Sequence, residues 1–381
     1  MKITCNREQL QHAYQAVAAV APARSPKPIL QNVKLEVADP SSGAGVATLM
    51  ATDLEVGIRY QTDGVEVHAP GAVVLPVARF GSMLREINDE TLKLETDGQK
   101  TVVTGERSRF NLPAENPSEF PPVPGFDEQV FYETSARLLK EFIRRTIFAT
   151  DNESSRYALG GVKMEWEGGS LTAVGTDGRR LAKMEGPVQA SASEGGGEPA
   201  PFGEATIIPS RSLQLIDRVL TDEDAEVQLA VRQNEVLVRS PRATIFSRLL
   251  EGRFPRWRDV FPDRSGSAKI ELPVGPFFAA VRQAAIVTSD ESRGVEFTFG
   301  GGSLVLSGHA AEVGESRVEM PIGYDGDEIA ITLDPRYLVD LLKVLDQEKT
   351  FTLDLADGDS AAVATTDDGY GYVIMPLARD R

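Results

Sequence analysis

The chain writes one pattern three times. Leu75–Ile87 returns as Ile208–Leu220 and again as Leu333–Leu345, a period of roughly 125–135 residues, far longer than the 20–50 of a solenoid unit. Apolar residues recur at helical spacing in each copy: Phe80, Met83 and Ile87; Leu213, Ile216 and Leu220; Leu338, Leu341 and Leu345. Repeats of this length are whole domains. The 381 residues therefore predict three, at 1–125, 126–252 and 253–381, each large enough to bury its own core.

The same order of elements is predicted in every copy. Strands at Met1–Cys5, Gln129–Glu133 and Ala268–Leu272 lead into helices at Arg7–Val20, Ser135–Ala149 and Pro273–Val287. Further strands follow, among them Gln31–Ala38, Gly161–Trp166 and Val295–Phe299. A second run begins at Val73, Thr206 and Ile329 and enters a second helix in each copy, at Pro76–Ile87, Pro209–Thr221 and Pro335–Asp346. Each domain thus reads as β-α-β-β-β written twice, an α+β layout of two helices on antiparallel strands. Asp63-Gly64, Asp97-Gly98 and Asp177-Gly178 are hairpin-type dipeptides. Proline-rich Pro113–Phe126 and Gly252–Ser267 read as linkers, and Gly186–Gly203 as a solvated loop inside the second domain.

Residue chemistry excludes several function classes. Cys5 is the only cysteine, so there is no intrachain disulfide and no cysteine zinc site. His12, His68 and His309 lack the spacing of a metal motif. Gly195–Gly197 and Gly300–Gly302 lack the Lys-Ser/Thr of a phosphate-binding loop, and Asp354, Asp357 and Asp359 lack the closing glutamate of a calcium loop. No nucleophile stands with a base, so we expect no catalytic residue, no metal and no cofactor. The start Met1–Cys5 reads as a strand with no signal peptide, and no apolar run is long enough for a membrane span. With the lone cysteine, this predicts a cytoplasmic protein without a membrane partner.

The formal charge of −17 argues against nucleic acid until the basic residues are placed. The six predicted helices together sum to +6, which leaves −23 for the rest of the chain. Arg137, Lys140, Arg144 and Arg145 lie on one helix at spacings of three, four, seven and eight residues. Two readings fit that stripe: a solvated face, or a backbone contact that follows phosphates without reading sequence.

With these words in place, the whole chain resembles the bacterial DNA polymerase III β subunit family, the sliding clamps. The resemblance is carried by Arg24-Ser25-Pro26-Lys27-Pro28-Ile29-Leu30-Gln31-Asn32, Ala51-Thr52-Asp53-Leu54-Glu55 and Ser108-Arg109-Phe110. It is carried equally by Thr176-Asp177-Gly178-Arg179-Arg180-Leu181, Gly252-Arg253-Phe254-Pro255, Ser292-Arg293-Gly294-Val295 and Tyr372-Val373-Ile374-Met375-Pro376. It implies a DNA-clamp fold in which two chains join head to tail as a ring-forming homodimer. Twelve helices about 10 Å across would then leave roughly 28 Å of clearance, wide enough for a hydrated duplex.

The resemblance also implies sites. For double-stranded DNA these are Arg24, Arg79, the four basic residues of the stripe, and Asn152, Arg156 and Tyr157. For a partner-peptide groove they are Leu159, Thr176, Gly178, Arg179, Arg180, Leu181, Pro255, Val260, Val373, Met375, Pro376 and Leu377. For the dimer interface they are Phe110, Leu112, Ile286 and Val287. Implied partners are DNA polymerase subunits, an ATP-dependent clamp loader and other replication and repair proteins carrying clamp motifs. Glu153, Ala158, Arg179 and Asp259 depart from residues common in relatives, which implies an altered peptide preference. The reading is a processivity clamp without chemistry of its own. The alternatives are an acidic repeat adaptor that binds peptides without encircling DNA, and an enzyme with its site in the groove.

Overall fold

The structure, a computed structural model, describes residues 1–38, 45–151, 153, 158–192, 202, 206–261 and 267–377. The first copy contains β1 (Lys2–Asn6), α1 (Arg7–Ala18), β2 (Asn32–Val37), β3 (Ala47–Thr52), β4 (Val56–Thr62), β5 (Val65–Ala69), β6 (Gly71–Pro76), α2 (Val77–Glu86), β7 (Thr91–Thr96), β8 (Lys100–Thr104) and β9 (Arg109–Pro113). The second contains β10 (Val130–Ser135), α3 (Ala136–Thr146), β11 (Gly161–Glu167), β12 (Ser170–Thr176), β13 (Arg180–Pro187), β14 (Gln189–Ala192), β15 (Ile207–Pro209), α4 (Ser210–Val219), β16 (Glu226–Val231), β17 (Glu235–Arg239) and β18 (Ala243–Arg248). The third contains β19 (Ala268–Pro273), α5 (Val274–Ala284), β20 (Val295–Gly300), β21 (Ser303–Ala310), β22 (Gly314–Pro321), β23 (Ile329–Leu333), α6 (Pro335–Val344), β24 (Thr350–Leu355), β25 (Ala362–Thr365) and β26 (Tyr370–Ile374).

The third copy follows the expected β-α-β-β-β order twice over. The first two each insert one strand, β5 and β14, which add to the edges beside β1 and β10. Residues 186–187 and 189–192, expected as loop, therefore belong to β13 and β14. The helices end one to three residues earlier than the apolar pattern suggested. After α3 and α5 the backbone tightens into 3₁₀ turns, Ile147–Ala149 and Ala285–Val287, a common way to close a last turn.

The chain packs as two compact units. One comprises Met1–Leu139, Gln189–Pro201 and Arg211–Leu249; the other comprises Lys140–Val188, Phe202–Ser210 and Leu250–Arg381. In the first unit, a nine-stranded sheet runs β14-β10-β16-β17-β18-β4-β3-β2-β6 and a five-stranded sheet runs β5-β1-β7-β8-β9. In the second, an eight-stranded sheet runs β15-β11-β12-β13-β26-β25-β24-β19 and a four-stranded sheet runs β22-β21-β20-β23. The two larger sheets are each built from two sequence copies. They are joined by β18 on β4, with Ile245 opposite Ile58, and by β13 on β26, with Ala182 opposite Tyr372.

Each helix forms because its apolar stripe has a sheet to cover. In the first unit α1 buries Leu10, Ala13, Tyr14 and Val17, and Tyr14 meets Phe80 of α2 edge to face at 4.9 Å. In the second, Phe277 of α5 packs on Phe297 and Phe351. Asn6 and Asp334 cap α1 and α6 by accepting backbone N–H bonds at 3.0 Å.

Two copies share one turn. Thr176 Oγ1 accepts from Gly178 N and donates to Arg180 O, while Asp177 Oδ1 accepts from Arg179 and Arg180 N. Thr52 and Asp53 make the same bonds to Leu54, Glu55 and Val56. Gly178 sits there at φ +87°, but the first copy holds Leu54 at φ +81°, a conformation that costs a non-glycine residue about 1–2 kcal/mol. Leu54→Val, β-branched, is expected to lower stability by a further ~1–2 kcal/mol. Leu54→Gly is expected to stay within about 1 kcal/mol of the native chain, the lost packing offset by relieved strain. Urea midpoints of the two variants check the order.

Candidate partner groove and nucleic-acid face

The second unit brings most of the expected groove residues together. The pairing of β13 with β26 sets Leu181 opposite Val373, and Met375 N donates to Arg179 O at 2.9 Å just beyond the ladder. Leu181 and Val373 are buried in a cluster with Ala158, Val174, Ile207, Phe254, Trp257 and Val363, and Val260 is packed against it. Leu159 and Thr176 are buried, Gly178, Arg179 and Met375 are exposed, and Pro255, Pro376 and Leu377 are half-buried. An apolar floor with Met375 exposed at its edge offers anchors for apolar side chains, and a methionine adapts to several shapes.

Arg180 does structural work beneath this floor. Its guanidinium reaches Asp177 at 3.0 Å, Asp340 at 2.7 Å and the Phe148 carbonyl at 2.8 Å, and it stacks over Tyr337 and Phe148. Burial works against the charge, but Tyr372, Asp340 and Asp177 outweigh it and hold the pKa above the ordinary value. Sequence placed Arg180 in the groove; the contacts show that it ties β13 to α6.

Beside the groove lies a cavity of about 620 Å³ lined by Lys163, Glu165 and residues 252–259. Lys163 reaches Glu165 at 2.7 Å, and Arg258 reaches the other oxygen of Glu165 at 2.6 Å. Burial raises the Glu165 pKa, but these two cations overcome it and hold it below the usual value. Arg253 and Arg256 are exposed and make no ion pair among the described residues. Sequence reasoning missed this cavity, although three arginines within Arg253–Arg258 were its visible signal.

The basic stripe divides. α3 buries Ala136, Leu139, Phe142 and Ile143. Arg137 and Arg144 are exposed, the first paired with Glu223 and Asp224, the second with Glu141. Arg145, expected on the DNA face, is only 9% exposed. It pairs with Glu141 at 2.7 Å and Asp368 at 2.8 Å and lies over the Tyr370 ring. One residue beyond Arg144 turns a side chain by about 100°, which carries Arg145 off the outer face and into the packing. Lys140 is half-buried, while Arg24 and Arg79 are exposed. Asn152, Arg156 and Tyr157 lie outside the described residues.

Of the interface residues, Ile286 is 75% exposed, Phe110 and Val287 are half-buried, and Leu112 is 4% exposed, packed within its own chain. Leu112 therefore supports β9 from beneath instead of offering a free surface. Three large apolar side chains stand exposed among the described residues: Met375, Ile286 and Val313. Two of them are expected site residues. The third, unremarked in the sequence, directly precedes the edge strand β22. Among the described residues, no cluster of three or more His, Cys, Asp or Glu is placed to hold a metal, and no helix is long and apolar enough to cross a membrane.

Three like copies whose strands fuse into shared sheets define a DNA-clamp fold. Family profiles agree along the chain: the N-terminal, central and C-terminal domains of the DNA polymerase III beta subunit match residues 1–124, 133–256 and 258–378. The beta sliding clamp of Chlamydia pneumoniae is 29% identical over 378 residues, covering 99% of both chains. That of Escherichia coli is 28% identical over 380 residues, covering 99% of this chain and 100% of the other. A crystal structure of a sliding clamp from Pseudomonas aeruginosa bound to griselimycin superposes with a TM-score of 0.89 at 27% identity, covering 99% of both chains. The chain belongs to the DNA polymerase III beta subunit family and is a DNA sliding clamp.

The contacts of Arg145 give a test. Burial raises the Asp368 pKa, but hydrogen bonds from Thr366 and Arg145 overcome it and hold it below the usual carboxylate range. A depressed folded-state pKa contributes stability that is present above the unfolded value and lost as pH falls through the folded one. Arg145→Gln is expected to destabilise the chain near neutral pH and to lose less than the native chain on acidification. Arg144→Gln should leave both nearly unchanged. Melting temperatures measured from pH 7 to pH 3 check this.

Proposed function

We propose that two copies of this chain close head to tail into a ring around duplex DNA and tether a DNA polymerase to it. The ring has no catalytic chemistry of its own. It acts in the cytoplasm, is opened by a separate ATP-dependent loader, and receives polymerase, loader and repair partners through peptide segments seated at Leu181, Val373 and Met375. The three domains divide at 125 and 252, as the repeat suggests.

One observation carries the ring: the strands left without a partner. In the nine-stranded sheet the third strand after a first helix, β4, pairs with the last strand of the next copy, β18. In the eight-stranded sheet β13 and β26 pair in the same way. The strands in the corresponding places that remain are β9 and β22, each at the edge of its sheet. Within one chain they lack this pairing; between two chains they supply it twice. The five- and four-stranded sheets would then join into nine strands, the size of the sheet already present. Bare strand edges invite pairing, and Val313 and Ile286 supply exposed apolar surface for it.

The repeat sets the register. Phe110 stands where Ile245 and Tyr372 stand, and Ser316 where Ile58 and Ala182 stand. Phe110 should therefore face Ser316 of a second copy, and Asn111 should face Glu315. A chain carrying Asn111→Cys and Glu315→Cys is expected to oxidise into a covalent dimer of twice 41.3 kDa. Loaded on circular plasmid and then oxidised, it should survive high salt and leave once the plasmid is cut. Equal retention on circular and linear DNA would instead favour the adaptor. The groove is tested with griselimycin, which the Pseudomonas aeruginosa clamp binds. Met375→Ala is expected to weaken its binding about tenfold, the effect of losing one buried anchor, without changing the dimer mass.

A further inference from the structure

We propose that the cavity at Lys163, Glu165 and residues 252–259 is a second subsite of the partner groove and takes a carboxylate. The inference rests on the groove reading and adds a charge requirement to it. Six ionisable residues line the cavity. Glu165 is satisfied by Lys163 and Arg258, and Asp259 is the only other acid. Against these stand Arg253 and Arg256, exposed and without an ion pair among the described residues. The lining is thus net +2 in a chain whose formal charge is −17.

The cavity also shares residues with the apolar cluster of the groove. Phe254 and Trp257 line it and belong to the same buried cluster as Leu181 and Val373. Pro255 lines it as well, and Val260 follows its last lining residue. A segment with apolar anchors on Leu181 and Met375 has only to continue past Pro255 to bring a charged residue between two guanidiniums. Guanidinium and carboxylate match in shape as well as charge, which makes a carboxylate the fitting occupant. The paired Lys163 and Glu165, their side chains 9% and 13% exposed, hold the wall in place. The surrounding acidic surface penalises the same carboxylate elsewhere.

Two sources supply such a group: acidic side chains flanking the anchors, or the free end of a chain. Fluorescence anisotropy with synthetic peptides separates them. All carry one leucine and one phenylalanine as anchors. One set is extended by three aspartates, at either end, and amidated; one is extended by three serines and amidated; one has serines and a free terminal carboxylate. An aspartate peptide is expected to bind about tenfold tighter than the amidated serine peptide at low salt. The advantage should shrink at 0.5 M salt and vanish in Arg253→Gln/Arg256→Gln, whose affinity for the serine peptide stays native. Tightening by the free carboxylate alone would support the subsite and assign it to a chain end. No advantage for any carboxylate, or one that survives the double variant, would overturn the proposal. Serine-peptide binding that Met375→Ala leaves unchanged would instead overturn the groove reading beneath it.

Discussion

The fold depends on what happens at strand edges. Every sheet must end somewhere, and a terminal strand presents unpaired N–H and C=O groups along its length. Here the sequence copies meet edge to edge, so the last strand of one copy completes the sheet of its neighbour. The ladders run past the strands themselves: Gln61 donates to Arg242, Arg248 to Glu55 and Met375 to Arg179. Three copies make two such joints and leave one strand of each kind over. An open chain of such copies always leaves one strand of each kind over, whereas two chains joined head to tail pair both. Under the proposed ring, the same backbone interaction that builds each unit also sets its oligomeric state.

The two joints are alike in backbone and unlike in side chains. At the first, Gly57 faces Phe246, and the ring lies so close that a Cβ on Gly57 would meet it at 2.3 Å. At the second, Leu181 faces Val373. The register puts Arg248 of the first joint in the place of Met375 in the second. Arg248 reaches toward Glu55 at the surface, whereas Met375 stands as exposed apolar area. A charged pair therefore covers the rim of the first joint, while the exposed methionine leaves the second with an apolar surface to offer. The backbone repeat makes both sites geometrically available; side-chain polarity at the rim leaves only one fit for an apolar partner.

Periodicity made the helices and most strands legible, because each helix buries one stripe and each turn carries its own chemistry. Asp63-Gly64, Asp97-Gly98 and Asp177-Gly178 all place glycine at positive φ. Leu54 did not announce itself, since only the shared hydrogen bonds of its turn force a leucine into that region. The strands β5 and β14 were hidden because each adds to a sheet edge outside the repeated order of elements, beside β1 and β10. At the site, apolar residues that pack together were legible, but charge was not. Arg144 and Arg145 are chemically identical neighbours, and which of them meets solvent is settled by Tyr370 and Asp368, more than 220 residues away. The cavity beside the groove depends likewise on β11 supplying Lys163 and Glu165 opposite a distant loop.

On the proposed DNA face, the ion pairs of α3 bear on how cationic side chains can hold a duplex without stopping on it. Bare guanidiniums would each release counterions from the duplex and bind it tightly, with affinity falling steeply in salt. Arg137 instead already has the exposed Glu223 and Asp224, and Arg144 already has the half-buried Glu141. A phosphate approaching either arginine exchanges one solvated ion pair for another, so the gain per contact is small. Arg145, withdrawn into its own network, contributes no contact of this kind. Weak contacts of nearly equal strength along a backbone flatten the energy from one register to the next, which favours movement along the duplex. In the proposed ring, retention then comes from closure, and closure rests on the same edge pairing that builds the sheets.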